Sequence, residues 1–223
     1  AQHDDTIPAP GLFETTSSGD ILPVIRSADG LTPFKAYSKD DLTIPAGKPV
    51  IALVVNDVGL SESVAQELNS ALPAEITFIA NPYASKLGVQ EKLWHEKKRE
   101  IWLKIPFESL DFPLVDPGMR GILTRSSLAA NMDNFTWALS RAHGYAGIAA
   151  SVDSSYLQSR PLLSAIAKEK YERGLGYFEL NNAAPPVIKD MAERLNAPYI
   201  RNEIRLQDAK WNGEINEAAS LLE

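Results

Sequence analysis

From Val50 onward, short apolar runs alternate with amphipathic stretches. Ile51-Ala52-Leu53-Val54-Val55 is a continuous apolar run, the mark of a strand covered on both faces. Ser61-Glu62-Ser63 then opens a helix with Val64, Leu68 and Leu72 on one face, stopped by Pro73. The same unit recurs. Strands are predicted at 76–80, 101–105, 147–152 and 175–180, with helices at about 86–98, from Ser126 or Ser127 to about His143, from Pro161 to Arg173, and from Pro186 to Leu195. Residues 198–201 and 204–206 suggest one or two last strands, and 212–222 a final helix. Repeated strand–helix units imply a parallel sheet joined by right-handed crossovers. The pattern is common to an open sheet and a closed barrel.

Residues 1–49 break this rhythm. Pro8, Pro10, Pro23, Pro33, Pro45 and Pro49 punctuate them and read as an extended arm lying over the domain that spans 50–223. Within the arm, Ile21–Ile25 and Leu31–Tyr37 flank Ala28-Asp29-Gly30. That spacing suggests a loose hairpin whose prolines confine it to edge positions.

Composition narrows the chemistry. A formal charge of −7 leaves no basic footprint for nucleic acid or an anionic membrane. The Lys97-Lys98-Arg99 cluster reads as a solvated helix end favoured by the macrodipole. The absence of cysteine rules out disulfides, thiolate metal sites and cysteine nucleophiles. No apolar run reaches the length of a membrane span, and Ala1-Gln2-His3-Asp4 fits a terminus left by cleavage behind a small residue as well as it fits a trimmed one. Phosphate loops, dinucleotide fingerprints and G-x-S-x-G elbows do not occur.

In parallel α/β folds, ligands bind beyond the carboxyl ends of the strands. The polar residues expected there are Asn56 and Asp57, Lys104 with Glu108 beyond it, Ser151 and Asp153, Glu179, and Asp208. Ser154, Ser155, Asn181 and Asn182 read as caps and turns. Lys104 interrupts an apolar strand, and a buried ammonium must be paired or neutralised. It is expected within reach of Asp57, or failing that of Glu108, Asp153 or Glu179. None of His3, His95 and His143 falls at a strand end, and no pair has metal-ligand spacing. Trp94, Trp102, Trp137 and Trp211 offer faces on which a ligand could stack, but Trp102 and Trp137 lie on predicted core faces.

Several stretches resemble the divergent polysaccharide deacetylases. IALVVNDVGLS at 51–61 is similar to their opening strand, and KIPFESLDFPLVDPGMRGILT at 104–124 to their most recognisable segment. MDNFTWALSRAHGYAGIAAS at 132–151 resembles the helix and strand that follow, and DILPVIRSADGLTPFKAY at 20–37 the segment preceding the barrel in an alphaproteobacterial branch. The resemblance implies an irregular β/α barrel of about six to seven mostly parallel strands. It also implies a divalent metal such as zinc, held by an aspartate and two histidines, with a second aspartate as base. Matched to this chain, the base falls on Asn56, the metal aspartate on Asp57, and the two histidines on Lys104 and Ser151. Asparagine is no base at neutral pH, and a charged lysine holds no zinc. No bound metal or other cofactor is therefore expected.

The leading expectation is a catalytically degenerate relative in the periplasm or cell envelope. It would use Asn56, Asp57, Lys104 and Glu108 as former active-site positions and Ser151, Asp153, Glu179 and Asp208 as ligand contacts. The expected partners are a glycan or peptidoglycan fragment, or a cell-wall protein. Two alternatives stand beside it: an active carbohydrate hydrolase using Asp57, Glu108, Asp153 and Glu179, and a structural interaction protein using the arm and the barrel surface.

Overall fold

The computed structural model describes residues 8–39, 47, 50–152, 156, 159–181 and 187–203. The arm contributes an antiparallel pair, β1 (Phe13–Thr15) and β2 (Ile21–Pro23), and a short helix α1 (Pro33–Tyr37). Thr32 caps α1 through its hydroxyl, which accepts from Lys35 N, and Pro33 opens the first turn where its missing N–H costs nothing. The expected hairpin of 21–25 with 31–37 therefore does not form. β2 pairs with the preceding strand, and 33–37 is helical because a capped Pro start favours a turn of helix over an edge strand.

The domain then runs β3 (Val54–Val58), α2 (Glu62–Ala71), β4 (Thr77–Ala80), α3 (Leu87–Glu96), β5 (Ile101–Lys104), α4 (Leu128–Leu139), β6 (Gly147–Ala150), α5 (Arg160–Glu172), β7 (Gly176–Glu179), α6 (Val187–Arg194) and β8 (Tyr199–Arg201). Its six described strands are parallel and lie in chain order, β3-β4-β5-β6-β7-β8. With no reversal of order, crossovers of one hand place every helix on the same face. The sheet then curls away from its helices into half of a barrel, as expected from the resemblance. The further strand at 204–206 and the helix at 212–222 lie outside the described residues.

Side chains alternate across this sheet. Phe78, Ile101, Leu103 and Ile148 point to the helices and form the main core with Trp94, Phe135, Leu163 and Ile166. Ile79, Trp102, Ala149 and Phe178 form a second cluster on the inner face, joined by Phe34 and Tyr37 of α1. Trp102 fills the lower interior because its neighbours have no side chains there. A Cβ on Gly147 would lie 2.4 Å from the Trp102 ring, and one on Gly176 would lie 2.7 Å from it. Phe34 packs edge-on to the same indole at 6.3 Å, while its N–H donates to Gly174 O at 3.1 Å, just before β7. The arm thus stoppers the amino-terminal end of the half-barrel and leaves the carboxyl-terminal rim open.

Two further sequence expectations change. The first strand lies three residues later than its apolar run: Ile51 and Leu53 are exposed, and Leu53 meets the sheet only through its carbonyl, which accepts from Thr77 N at 3.1 Å. In the basic cluster, Lys97 and Lys98 are exposed but Arg99 is only 1% exposed. Its guanidinium donates to the carbonyls of Leu72, Pro73 and Ile76 and to Asn69 Oδ1, satisfying acceptors at the end of α2.

Candidate functional site at the carboxyl-terminal rim

The rim is organised around Asp57. Between the pairs Val55↔Phe78 and Val58↔Ala80, β3 uses three residue steps where β4 uses two. The extra residue makes a bulge, and Asp57 sits in it with φ 61°, a left-handed conformation that a non-glycine residue adopts only when its surroundings hold it. Those surroundings are polar. Lys104 Nζ donates to Asp57 Oδ1 at 2.7 Å and Oδ2 at 2.6 Å. Asn81 Nδ2 donates to Oδ1 at 2.7 Å, and Asn56 Nδ2 to Oδ2 at 3.3 Å. The pair is neither buried nor free, with the Lys104 side chain 29% exposed and that of Asp57 40% exposed.

Lys104 reaches this position because it follows Trp102 by two residues and so shares its inward face. It ends β5 opposite Ala149. Ser151, two residues past Ala149, is exposed at the same rim, as is Asn56. The structure therefore brings Asn56, Asp57, Lys104 and Ser151 to one edge of the sheet.

Glu108 and Glu179 are spent elsewhere. Glu108 is 8% exposed, and its carboxylate accepts from the hydroxyl of Thr124 and, at 3.1 Å, from Thr124 N. With the Phe107–Ile122 bridge and the Glu108 N–H to Ile122 O bond of 3.0 Å, it closes the root of the long loop between β5 and α4. Glu179 is 1% exposed. It accepts from Val152 N at 3.3 Å, Asn181 N at 2.9 Å and the Tyr177 hydroxyl at 3.2 Å. Burial, then the nearby Glu179 carboxylate, pushes the Tyr177 phenol well above its ordinary range. Asp153 and Asp208 lie outside the described residues. His95 and His143 are remote from this network. They flank the buried Glu91 at 3.8 and 4.0 Å, and Glu91 also accepts the backbone N–H groups of His143 and Gly144.

Asn81 was missed by the sequence reading, although it stands one residue past the second strand and meets the criterion used for the others. It is 8% exposed. Besides holding Asp57, its Oδ1 accepts from Tyr83 N at 3.0 Å, so it joins the rim to the next turn. Tyr83 in turn receives the long loop: its hydroxyl accepts from Arg120 N at 3.0 Å, and Gly118 lies so near the ring that a Cβ would stand 2.8 Å away. Burial raises the Tyr83 phenol above its usual value. Trp137 packs beside it at 5.1 Å between Arg120 and Arg141.

The donor set does not fit a divalent cation. Both Asp57 oxygens already meet an ammonium, Asn56 and Ser151 are neutral, and no group of three or more His, Asp or Glu side chains suited to a metal occurs among the described residues. No helix among them is long and apolar enough to cross a membrane.

A half-barrel of serial parallel strands, with its polar side chains gathered at the carboxyl rim, defines the β/α-barrel class. Within that class the chain belongs to the divergent polysaccharide deacetylase family, whose model matches residues 53–223. Among solved structures it is similar to an uncharacterized protein, ATU2773, from Agrobacterium tumefaciens C58. The TM-score is 0.76 at 25% identity, over 91% of this chain and 79% of that one. An aldolase, QR15, gives a TM-score of 0.41 at 15% identity over 67% of this chain and 64% of its own, too slight a likeness to bear on function. No curated protein matches the chain.

Proposed function

We propose that this protein is a catalytically degenerate member of its family that works in the bacterial cell envelope by binding a cell-wall glycan without hydrolysing it. One observation carries the reading: the carboxylate at the expected metal position is bonded on both oxygens by Lys104, while the expected base position holds Asn56. Among the described residues, a hydrolytic water at this rim would meet neither a set of ligands for a Lewis acid nor an uncommitted carboxylate base. The rival hydrolase built from carboxylates is less favoured, because the oxygens of Glu108 and Glu179 accept internal hydrogen bonds. Exposed Asn56 and Ser151, beside the half-exposed ion pair, supply donors and acceptors of the kind that hold sugar hydroxyls.

The test uses acetylated glycan fragments. Calorimetry is expected to detect binding that weakens in Asp57→Ala, and an acetate-release assay to find no turnover with or without added zinc. Acetate released by the wild type faster than by Asp57→Ala would overturn the reading.

A further inference from the structure

A divalent ion would draw its charge from solution, whereas this rim carries a cation covalently. Lys104 Nζ stands over both oxygens of Asp57, and Asn81 supports the same carboxylate from the side at 2.7 Å. Asp57 is held in a left-handed bulge that aims its carboxylate at the ammonium. A solvent-exposed ion pair formed by chance between flexible side chains would need no such backbone.

The geometry points to Lys104 as the resident cation of the rim, making the site independent of metal, with a spare Lys104 N–H as the contact for an uncharged ligand oxygen. An ammonium has three donors. Its hydrogen bonds among the described residues go to Asp57 alone, and its side chain is 29% exposed, so a donor remains for a ligand. The pair is neutral overall, and Asn56, Asn81 and Ser151 around it are uncharged. An anionic ligand would compete with Asp57 for Lys104 and be repelled by it, and a cationic ligand would be repelled by Lys104. A hydroxyl or carbonyl oxygen meets neither penalty. The ligand half of this inference rests on the glycan reading above; the cation half does not.

Two measurements test it. In the first, metal-stripped wild type and Asp57→Ala are titrated with zinc. No stoichiometric zinc binding is expected, and one zinc bound by the wild type and lost in Asp57→Ala would overturn the resident cation. In the second, the Lys104 ammonium is followed by nitrogen-resolved NMR while three probes are added: a neutral N-acetylglucosamine oligomer, its cationic deacetylated form, and an anionic uronate oligomer. The neutral oligomer is expected to shift the Lys104 signal, with no change in chelator, and to bind about tenfold or more weakly to Lys104→Met. Lys104→Arg, which keeps a cation, covers the case in which Lys104→Met does not fold, and is expected to retain zinc indifference. A uronate that binds more tightly than the neutral oligomer, or a neutral oligomer that binds without moving Lys104, would refute the assigned contact. Absence of binding by every oligomer removes the ligand half together with the glycan reading, and the zinc titration then decides the cation alone.

Discussion

Lys170 lies on α5 beneath α6, only 4% exposed, in a cavity lined by Ile166, Tyr177, Ile188 and Met191 among others. Burial alone lowers its pKa from 10.5 to about 8. At about 1.36 kcal/mol per pH unit, that difference corresponds to about 3 kcal/mol of penalty on the charged folded state. Below pH 8 both folded and unfolded chains carry the proton, and the penalty is present in full. Between pH 8 and 10.5 the unfolded chain holds a proton that the folded chain has lost, so stability rises with pH. Above 10.5 the penalty is gone. Lys170→Met removes the titration and keeps most of the volume. Urea denaturation of both proteins, followed by tryptophan fluorescence in steps from pH 7 to 10.5, is expected to show the advantage of Lys170→Met shrinking by up to about 3 kcal/mol across that range. Tyr145 and Tyr177, whose phenols are raised well above the ordinary value by burial, work in the opposite sense as the pH climbs past 10, but they are common to both proteins and cancel in the difference. A difference that stays constant with pH would refute the reasoning, because the ammonium would then be as well solvated folded as unfolded.

The Lys104–Asp57 pair is expected to couple. Lys104→Met alone should destabilise by about 1 to 2 kcal/mol, and Lys104→Met with Asp57→Asn by less, in chemical denaturation of the full double-mutant cycle; simple additivity would dismiss the coupling. The magnitude stands below the roughly 3–5 kcal/mol of a fully buried pair because both side chains are partly exposed, at 29% and 40%. Gly147→Ala would drive a methyl to within 2.4 Å of Trp102 and 2.5 Å of Gly176 O, and should cost about 3 kcal/mol and shift the tryptophan emission. An unchanged melting temperature would mean that the inner layer is looser than its contacts imply.

The alternation of β4 to β7 with their helices was legible because each apolar run is bounded by a breaker: Pro73 before β4, Pro106 after β5, Gly144 before β6 and Gly174 before β7 stand at ends that the structure keeps. The arm was less so. Its hairpin partner lies upstream at Phe13–Thr15, where Phe13-Glu14-Thr15 carries no apolar pattern, being exposed throughout. The bulge in β3 was invisible for a different reason. An added residue leaves local composition unchanged, and only the register against β4 reveals it. The pairing of Lys104 with a rim carboxylate was legible because a lysine interrupting an apolar strand must be paired or neutralised; that the partner is Asp57, one strand removed across β4, rather than Glu108 or Glu179, is decided by the fold. Arg99 misled because a guanidinium can serve helix-end carbonyls across a tertiary contact, here with α2, that no local pattern encodes.

The strand order bears on how the molecule comes into being. Among the described strands of the sheet, each one after β3 pairs with the strand made just before it, from β4 through β8, so only β3 waits for a partner, and that partner is the next strand to be made. A chain emerging amino-terminus first can therefore extend the sheet one strand–helix unit at a time, with the arm already present to meet the growing interior. At each stage there is a single new edge to protect, and it is covered by the next segment to arrive.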